Sequence, residues 1–281
     1  MPVAGFGAGV LLALTPTFAS ALSLIGTTDT VCAVNGSGKL ICWGSNSFGQ
    51  AKPPKKEFTT ASVGYPHGCG VLKNRKVKCW GGNTEGERNA PGGTFRDVSA
   101  GYYHSCGVRT NGDVECWGLN DEKQSKNQKG DFKKVVAGYY YTCALRENGE
   151  AKCWGDDDDG QASPPNGKFK ELSAGYNSHV CGLRPGGEVD CWGDDTNGAA
   201  SAPPGKFTDV SVGEYHSCGV RPSGKPVCWG GERLGETDPV PAFYRDVTAG
   251  NSATCGVKTS GKVACWGDNT YGWLDIPNKL E

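Results

Sequence analysis

The chain has 281 residues, with 29 Lys and Arg against 30 Asp and Glu and a formal net charge of −1. A balance this close to neutral excludes a nucleic-acid binder held by bulk charge, and charge-driven disorder with it. The 44 Gly and 14 Cys exclude an ordinary cytosolic enzyme, which leaves disulfides in an oxidising compartment or bound metal.

In chain order, residues 1–21 come first and read as a signal peptide. Val3 to Leu14 is apolar and Ala19-Ser20-Ala21 is an A-x-A cleavage pattern, although no Lys or Arg precedes the apolar stretch. A membrane-spanning helix is the alternative, but Pro16 interrupts the run before the roughly 20 apolar residues a span requires. The mature chain, residues 22–281, is then expected to be secreted, soluble and one domain.

From residue 22 onward the chain is one unit used seven times. The cysteines fall into seven pairs: Cys32 with Cys42, Cys69 with Cys79, Cys106 with Cys116, Cys143 with Cys153, Cys181 with Cys191, Cys218 with Cys228, and Cys255 with Cys265. The members of each pair stand ten positions apart. Successive pairs start 37, 37, 37, 38, 37 and 37 residues apart, and Trp-Gly follows every second Cys. The third unit shows the grammar. Phe95, Val98 and Ala100 begin a first strand ending at Gly101. His104, Cys106 and Val108 alternate along a second strand, and Val114 and Cys116 along a third. Gly112 suits a left-handed turn position that six units fill with Gly and the second fills with Arg75. After Trp-Gly comes a polar, Gly- and Pro-rich stretch that can supply at most a short edge strand and a connection.

Placing Cys106 opposite Cys116 sets Val108 opposite Val114, and the same rule gives an apolar pair beside every Cys pair except in the sixth unit, where Val220 meets Pro226. Opposed residues at such sites lie within disulfide range. Seven disulfides within the units are therefore expected. Zinc wants C-x-x-C spacing with converging ligands, and reduced buried thiols are the remaining alternative. A sheet of three or four short strands cannot bury both its faces alone. Seven arranged radially bury one another, so the fold class is all-β, a seven-bladed β-propeller of seven ~37-residue repeats. An open solenoid would need capping repeats. Read circularly, Leu280 to Cys32 is 12 steps, as is Phe169 to Cys181, so the two termini are expected to close the ring by completing one strand position together.

The residues so derived resemble the regulator of chromosome condensation repeat family. The matching features are Gly101, His104, Val108, Gly112, Val114, Trp117, Gly118 and Asn120 of the third unit and Gly49 and Gln50 of the first. The resemblance covers residues 22–281. Short repeats with an export signal are similar to the secreted branch of that family: Crinkly-type receptor-kinase ectodomains share the Cys-rich seven repeats, and the propeller-type streptomycete β-lactamase inhibitor shares the repeat length but lacks the Cys pairs. The latter resemblance implies target binding through aromatic residues in the loop before the second strand. The founding nuclear members imply guanine-nucleotide exchange, but their repeats are longer, and this activity is kept only as a family analogy.

That loop is the most informative segment here. It reads GYPHGC, GYYHSC, GYYYTC, GYNSHVC, GEYHSC and GNSATC in units two to seven. Tyr65, Tyr102, Tyr103, Tyr139, Tyr140, Tyr176 and Tyr215 are the candidate binding residues, because Tyr is large, amphipathic and loses little entropy on ordering. Tyr141 belongs to the same run. The bland alternative is that half of these rings pack inward. The site is expected to form a crescent over units two to six. His67, His104, His179 and His216 recur at one position and read as hydrogen-bonded blade residues, since no nucleophile, base and orienting acid converge. Asp156 to Asp159 suit calcium, but the W-G-x-N-x-x-G-Q turn with Asp for Asn accounts for them equally. The Asn35-Gly36-Ser37 sequon sits in the first hairpin turn. Residues 22–154 carry net +6 and residues 155–281 net −7, which predicts a basic and an acidic side to the disk.

The expected function is rigid protein binding or inhibition by a non-enzymatic, monomeric, secreted module, with a carbohydrate-binding lectin as the alternative. The expected partner is a protein or a glycan; nucleic acid, membrane, metal and cofactor are not expected.

Overall fold

The computed structural model describes residues 22–27 and 29–280. The signal-peptide reading of residues 1–21 lies outside the described residues. Each unit forms one antiparallel sheet of three strands in chain order, giving seven sheets. In the third these are Phe95–Ala100, His104–Arg109 and Val114–Gly118. The register is the one the sequence sets: Cys106 faces Cys116, Val108 faces Val114, and in the sixth sheet Val220 faces Pro226.

All fourteen cysteines pair as expected, each disulfide joining the second and third strands of one sheet. Cys32 bonds Cys42, Cys69 bonds Cys79, Cys106 bonds Cys116 and Cys143 bonds Cys153. Cys181 bonds Cys191, Cys218 bonds Cys228 and Cys255 bonds Cys265. The Cα atoms of every pair lie 4.0 Å apart, and no free cysteine is left among the described residues. A fourth strand survives only as traces: an isolated bridge of Val114 with Gln128 and a Val263 N–H bond to the Leu280 carbonyl.

A three-residue step from Phe95 to Val98 breaks the two-residue alternation of a strand, yet both side chains are buried. The register shifts between Phe95 and Asp97, so one bulged residue returns Val98 to the core face. The same shift follows Phe58, Phe132 and Tyr244.

Three sets of contacts tie each sheet to the next. The indole N–H of Trp80, Trp117, Trp154, Trp192, Trp229 and Trp266 donates to a carbonyl at the end of the preceding unit's turn, from Gln50 to Glu236, at 2.8–3.0 Å. Trp43 does the same to Trp273 of the seventh unit at 2.8 Å. On the inner strands, Asp97 accepts the Val135 N–H (3.0 Å) and Asp209 the Val247 N–H (2.9 Å), while Asp246 accepts the Leu24 N–H of the first sheet (2.8 Å). At the position of the histidines, His67 and His216 donate Nε2–H to Ser105 (2.6 Å) and Thr254 (2.7 Å) of the next sheet. Those hydroxyls donate onward to the Glu87 and Glu236 carbonyls at 3.1 Å.

The core is correspondingly divided into clusters between neighbouring sheets. Phe132 and Val135 of the fourth unit pack on Cys106, Val108 and Val114 of the third. Leu280 and Leu24 hold the same places against Cys255, Val257 and Val263 of the seventh, so the first sheet packs on the seventh. The inner strands line a central channel of about 400 Å³.

Candidate functional site

Each second strand runs away from one face of the disk and each third strand returns to it. The loop between the first two strands and the turn after the third therefore share that face, here called the upper one. Three hydrogen bonds confirm the shared edge: Leu119 N–H to Tyr103 O (2.8 Å), Asp156 N–H to Tyr140 O (2.9 Å) and Gly231 N–H to Tyr215 O (2.8 Å).

The tyrosines meet over the axis. Tyr102 stacks on Tyr139 with ring centroids 4.2 Å apart and on Tyr65 at 5.7 Å. Tyr103 and Tyr140 stand edge-on to these rings, each at 4.3 Å from its neighbour in sequence. Tyr176, from the fifth unit, meets Tyr102 edge-on at 5.6 Å. It reaches the second unit, where its hydroxyl donates to the Tyr65 carbonyl at 3.1 Å. Such offset and edge-on arrangements match the quadrupole preference of aromatic rings. The loops also bond laterally: Tyr102 N–H to Gly138 O (3.1 Å) and Tyr103 N–H to Tyr65 O (3.1 Å). Tyr103 adopts φ of 53°, an uncommon left-handed conformation for a bulky residue, held by bonds at both its N–H and its carbonyl.

The structure thus brings six of the seven predicted tyrosines into one half-buried cluster rather than a row of exposed rings. Tyr215 stands apart. The Arg233 guanidinium lies 4.5 Å over its ring, and a bond with Glu214, then burial, raise its hydroxyl pKa. Burial raises the hydroxyls of Tyr65, Tyr102, Tyr103, Tyr139 and Tyr140 too, so these groups stay protonated donors at neutral pH. Tyr141 is fully buried in the place four other units give to His, with its hydroxyl 2.9 Å from the Gly175 carbonyl and 2.8 Å from that of His179.

Sequence reasoning missed three apolar residues on this face. Phe48, Leu234 and Tyr271 are 43%, 57% and 44% exposed. Each precedes the Gly of the W-G-x-N-x-x-G turn, in units one, six and seven. Comparing that one position across units was the available signal, since the other four have Glu85, Glu122, Asp159 and Asn197 there. Phe48 meets Tyr65 edge-on at 5.3 Å and so extends the aromatic cluster to the first unit.

Charge is divided by face as well as between the two halves of the chain. The upper loops, with the turns taken from Trp-Gly to the Gln position, carry fifteen Asp and Glu but only two cations, Lys123 and Arg233. Asp29 and Glu214 are the half-buried members of this set in the loops. Burial, then the Glu214 carboxylate, push Asp29 to about 6, and burial raises Glu214 as well. Asp29 Oδ1 is buried without a hydrogen-bond partner, and the Asp29 charge acts on Tyr65, Tyr176 and Tyr271.

In the acidic turn Asp156–Asp159 the first two carboxylates are spent internally. Asp156 accepts from Asp158 N–H and Gln161 Nε2, and Asp157 from Ala162 N–H and Ser163 Oγ. Asn46, Asn120 and Asn269 make the same bond five residues ahead in their units. Among the described residues no group of three His, Cys, Asp or Glu is placed to hold a metal ion. All four histidines are buried, which holds His67 at about 3 and His104 and His216 at about 4. His179 is lowered by the same burial. They are uncharged blade residues at neutral pH.

The profile of the regulator of chromosome condensation (RCC1) repeat matches residues 28–50, 58–87, 95–124, 132–161, 169–199 and 244–272. No curated protein matches the chain significantly. Among solved structures, the Crinkly ectodomain of the Arabidopsis thaliana receptor kinase ACR4 is 31% identical, with a TM-score of 0.71, over 88% of this chain and 97% of that one. The entire ectodomain of the Physcomitrella patens receptor kinase CR4 is 27% identical, with a TM-score of 0.72, over 89% of this chain and 73% of that one. Prp20p of Saccharomyces cerevisiae is 16% identical over 92% of this chain and 85% of that one, with a TM-score of 0.70, a likeness of fold alone.

Proposed function

The chain belongs to the regulator of chromosome condensation repeat family, and we propose that this member is an extracellular, non-enzymatic binding module whose upper face takes a protein partner. The observation that carries the reading is the preformed cluster of Tyr65, Tyr102, Tyr103, Tyr139, Tyr140 and Tyr176, ringed by carboxylates. Rings already packed and hydrogen-bonded lose little freedom on binding. Aromatic anchors with a polar rim are what protein interfaces use. The surrounding charge selects a basic partner. A Lys or Arg side chain of the partner would be drawn to the Asp29 and Glu214 carboxylates, which act on each other and on the neighbouring Tyr65 and Tyr271. Phe48, Tyr271 and Leu234 supply the apolar flank. Seven disulfides and the likeness to receptor-kinase ectodomains support the extracellular setting.

A lectin is the second reading. One cleft of about 360 Å³, lined by Tyr139, Tyr140, Asp156, Tyr176, Asn177 and Glu214, offers rings for a sugar face and polar groups for its hydroxyls.

The test is affinity capture from the surrounding medium with wild type and a Tyr102→Ala, Tyr139→Ala variant. A basic protein held by wild type and lost with the variant supports the proposal. Equal capture by both refutes it, and release by free sugar transfers the site to the lectin reading.

A further inference from the structure

We propose that the lower face of the first three sheets binds an acidic polysaccharide, at a site separate from the Tyr cluster. The hairpin turn of the first unit carries Lys39, and the connection into the second carries Lys55 and Lys56. The next hairpin turn carries Lys73, Arg75 and Lys76. All six side chains are exposed. The segments are contiguous: Phe58 N–H bonds the Gly38 carbonyl (2.8 Å) and Phe95 N–H the Arg75 carbonyl (2.8 Å). Glu57 is the one carboxylate in these turns and connection. It pairs with Lys73 at 2.5 Å and also feels Lys39. Lys39, Lys55, Lys56, Arg75 and Lys76 have no ion-pair partner among the described residues.

Two grooves run along this strip. One of about 320 Å³ has Pro53 and Pro54 as its apolar wall and Lys39, Lys55 and Lys56 around it. The other, of about 520 Å³, lies between Lys73, Arg75 and Arg96, of which Arg96 is paired with Glu147 at 3.0 Å. Cations lining shallow grooves with a flat proline wall suit a chain of charged sugar rings, whose C–H faces lie on proline while their carboxylates or sulfates meet ammonium groups. No large apolar residue is exposed within the strip, so nothing there would enter a bilayer. Anionic lipid also belongs to the cytoplasmic leaflet, whereas seven disulfides belong outside the cell. Arg75 adds an independent sign. It holds φ of 64° where the other six units have Gly, so a cation stands at a position whose backbone favours none.

The test compares binding of wild type, a strip variant and a control variant to immobilised heparin and to polygalacturonate at 0.15 M salt, where screening acts beyond about 8 Å. The strip variant is Lys55→Glu, Lys56→Glu, Arg75→Gly. The control, Lys206→Glu, Lys225→Glu, Lys168→Gln, changes the net charge equally on the same face, in the fifth and sixth units and so away from the strip. At about five-fold per cation, the strip variant should bind at least one of the two polymers about a hundred-fold more weakly, with the control within about three-fold of wild type. Arg75→Gly restores the residue used by the other units, so an unchanged melting temperature separates lost binding from lost fold. Equal losses in both variants, no binding by wild type, or tighter binding to phosphatidylserine vesicles than to either polymer would each overturn the proposal. None of these outcomes bears on the Tyr face.

Discussion

Replacing Tyr102 by Ala tests whether the aromatic cluster is a packed element of the fold. Truncating a fully buried aromatic costs about 3–5 kcal/mol, and Tyr102 is half-buried, so a loss of about 2 kcal/mol is expected. Its backbone bond to the Gly138 carbonyl survives the change, which keeps the cost to the ring alone. The sharper quantity is the coupling. Tyr102 and Tyr139 stack at 4.2 Å, so Tyr102→Ala and Tyr139→Ala should fall short of additivity by about 1 kcal/mol. Tyr215 instead lies under Arg233, away from the Tyr102 ring, and that pair should add within about 0.5 kcal/mol. Guanidinium unfolding with the disulfides intact, followed by tryptophan fluorescence, gives all four terms of each cycle. Additivity for Tyr102 with Tyr139, or equal coupling with Tyr215, would refute the packed cluster and the preorganisation argument built on it.

Three further outcomes follow from other parts of the molecule. Cys106→Ala with Cys116→Ala should cost about 3 kcal/mol, because each bridge closes a loop of about ten residues, and the guanidinium midpoint measures it. The contribution of the buried histidines to stability should fall as pH drops from about 6.5 to 4. An unfolded imidazole takes its proton near 6.5, while burial holds folded His104 and His216 at about 4, so the unfolded state binds more protons in that window. Asp29, Asp97, Asp209, Glu214 and Asp246, all raised first by burial, act in the opposite direction. The check is therefore His104→Gln against wild type at each pH, and the variant should show the shallower decline of melting temperature. Binding of a basic partner at the upper face should weaken as pH falls through about 6, where Asp29 gains its proton; Asp29→Asn should bind more weakly and lose that pH dependence, as surface plasmon resonance would show.

Much of the fold was legible in the sequence because its determinants recur. Ten-residue Cys spacing fixed the hairpin register, and Trp-Gly after each second Cys marked the third strand. The bulge after Phe95 was legible only as an irregular step, since its place is set by how the first strand pairs with the second. The tyrosines were visible as residue types, but their convergence was not. Tyr176 reaches Tyr65 across 111 residues, a contact set by ring geometry rather than local pattern. Tyr215, one repeat further on, is diverted by Arg233, which no spacing rule foretells. The further division of charge by face was hidden for a related reason. Halves of a chain map to sides of a disk, whereas the carboxylates follow the loop type and the loop type fixes the face.

The central claim is that the upper face, and no other, meets a protein partner. The most direct measurement places a photo-reactive benzophenone side chain at Phe48, at Tyr271 or at Lys225 on the opposite face, and illuminates the protein in its own extracellular medium. One basic protein should be cross-linked from positions 48 and 271, absent from 225, and lost when Asp29→Asn and Glu214→Gln are combined. Cross-links from position 225 alone, or links from 48 and 271 that ignore the loss of both carboxylates, would contradict that claim.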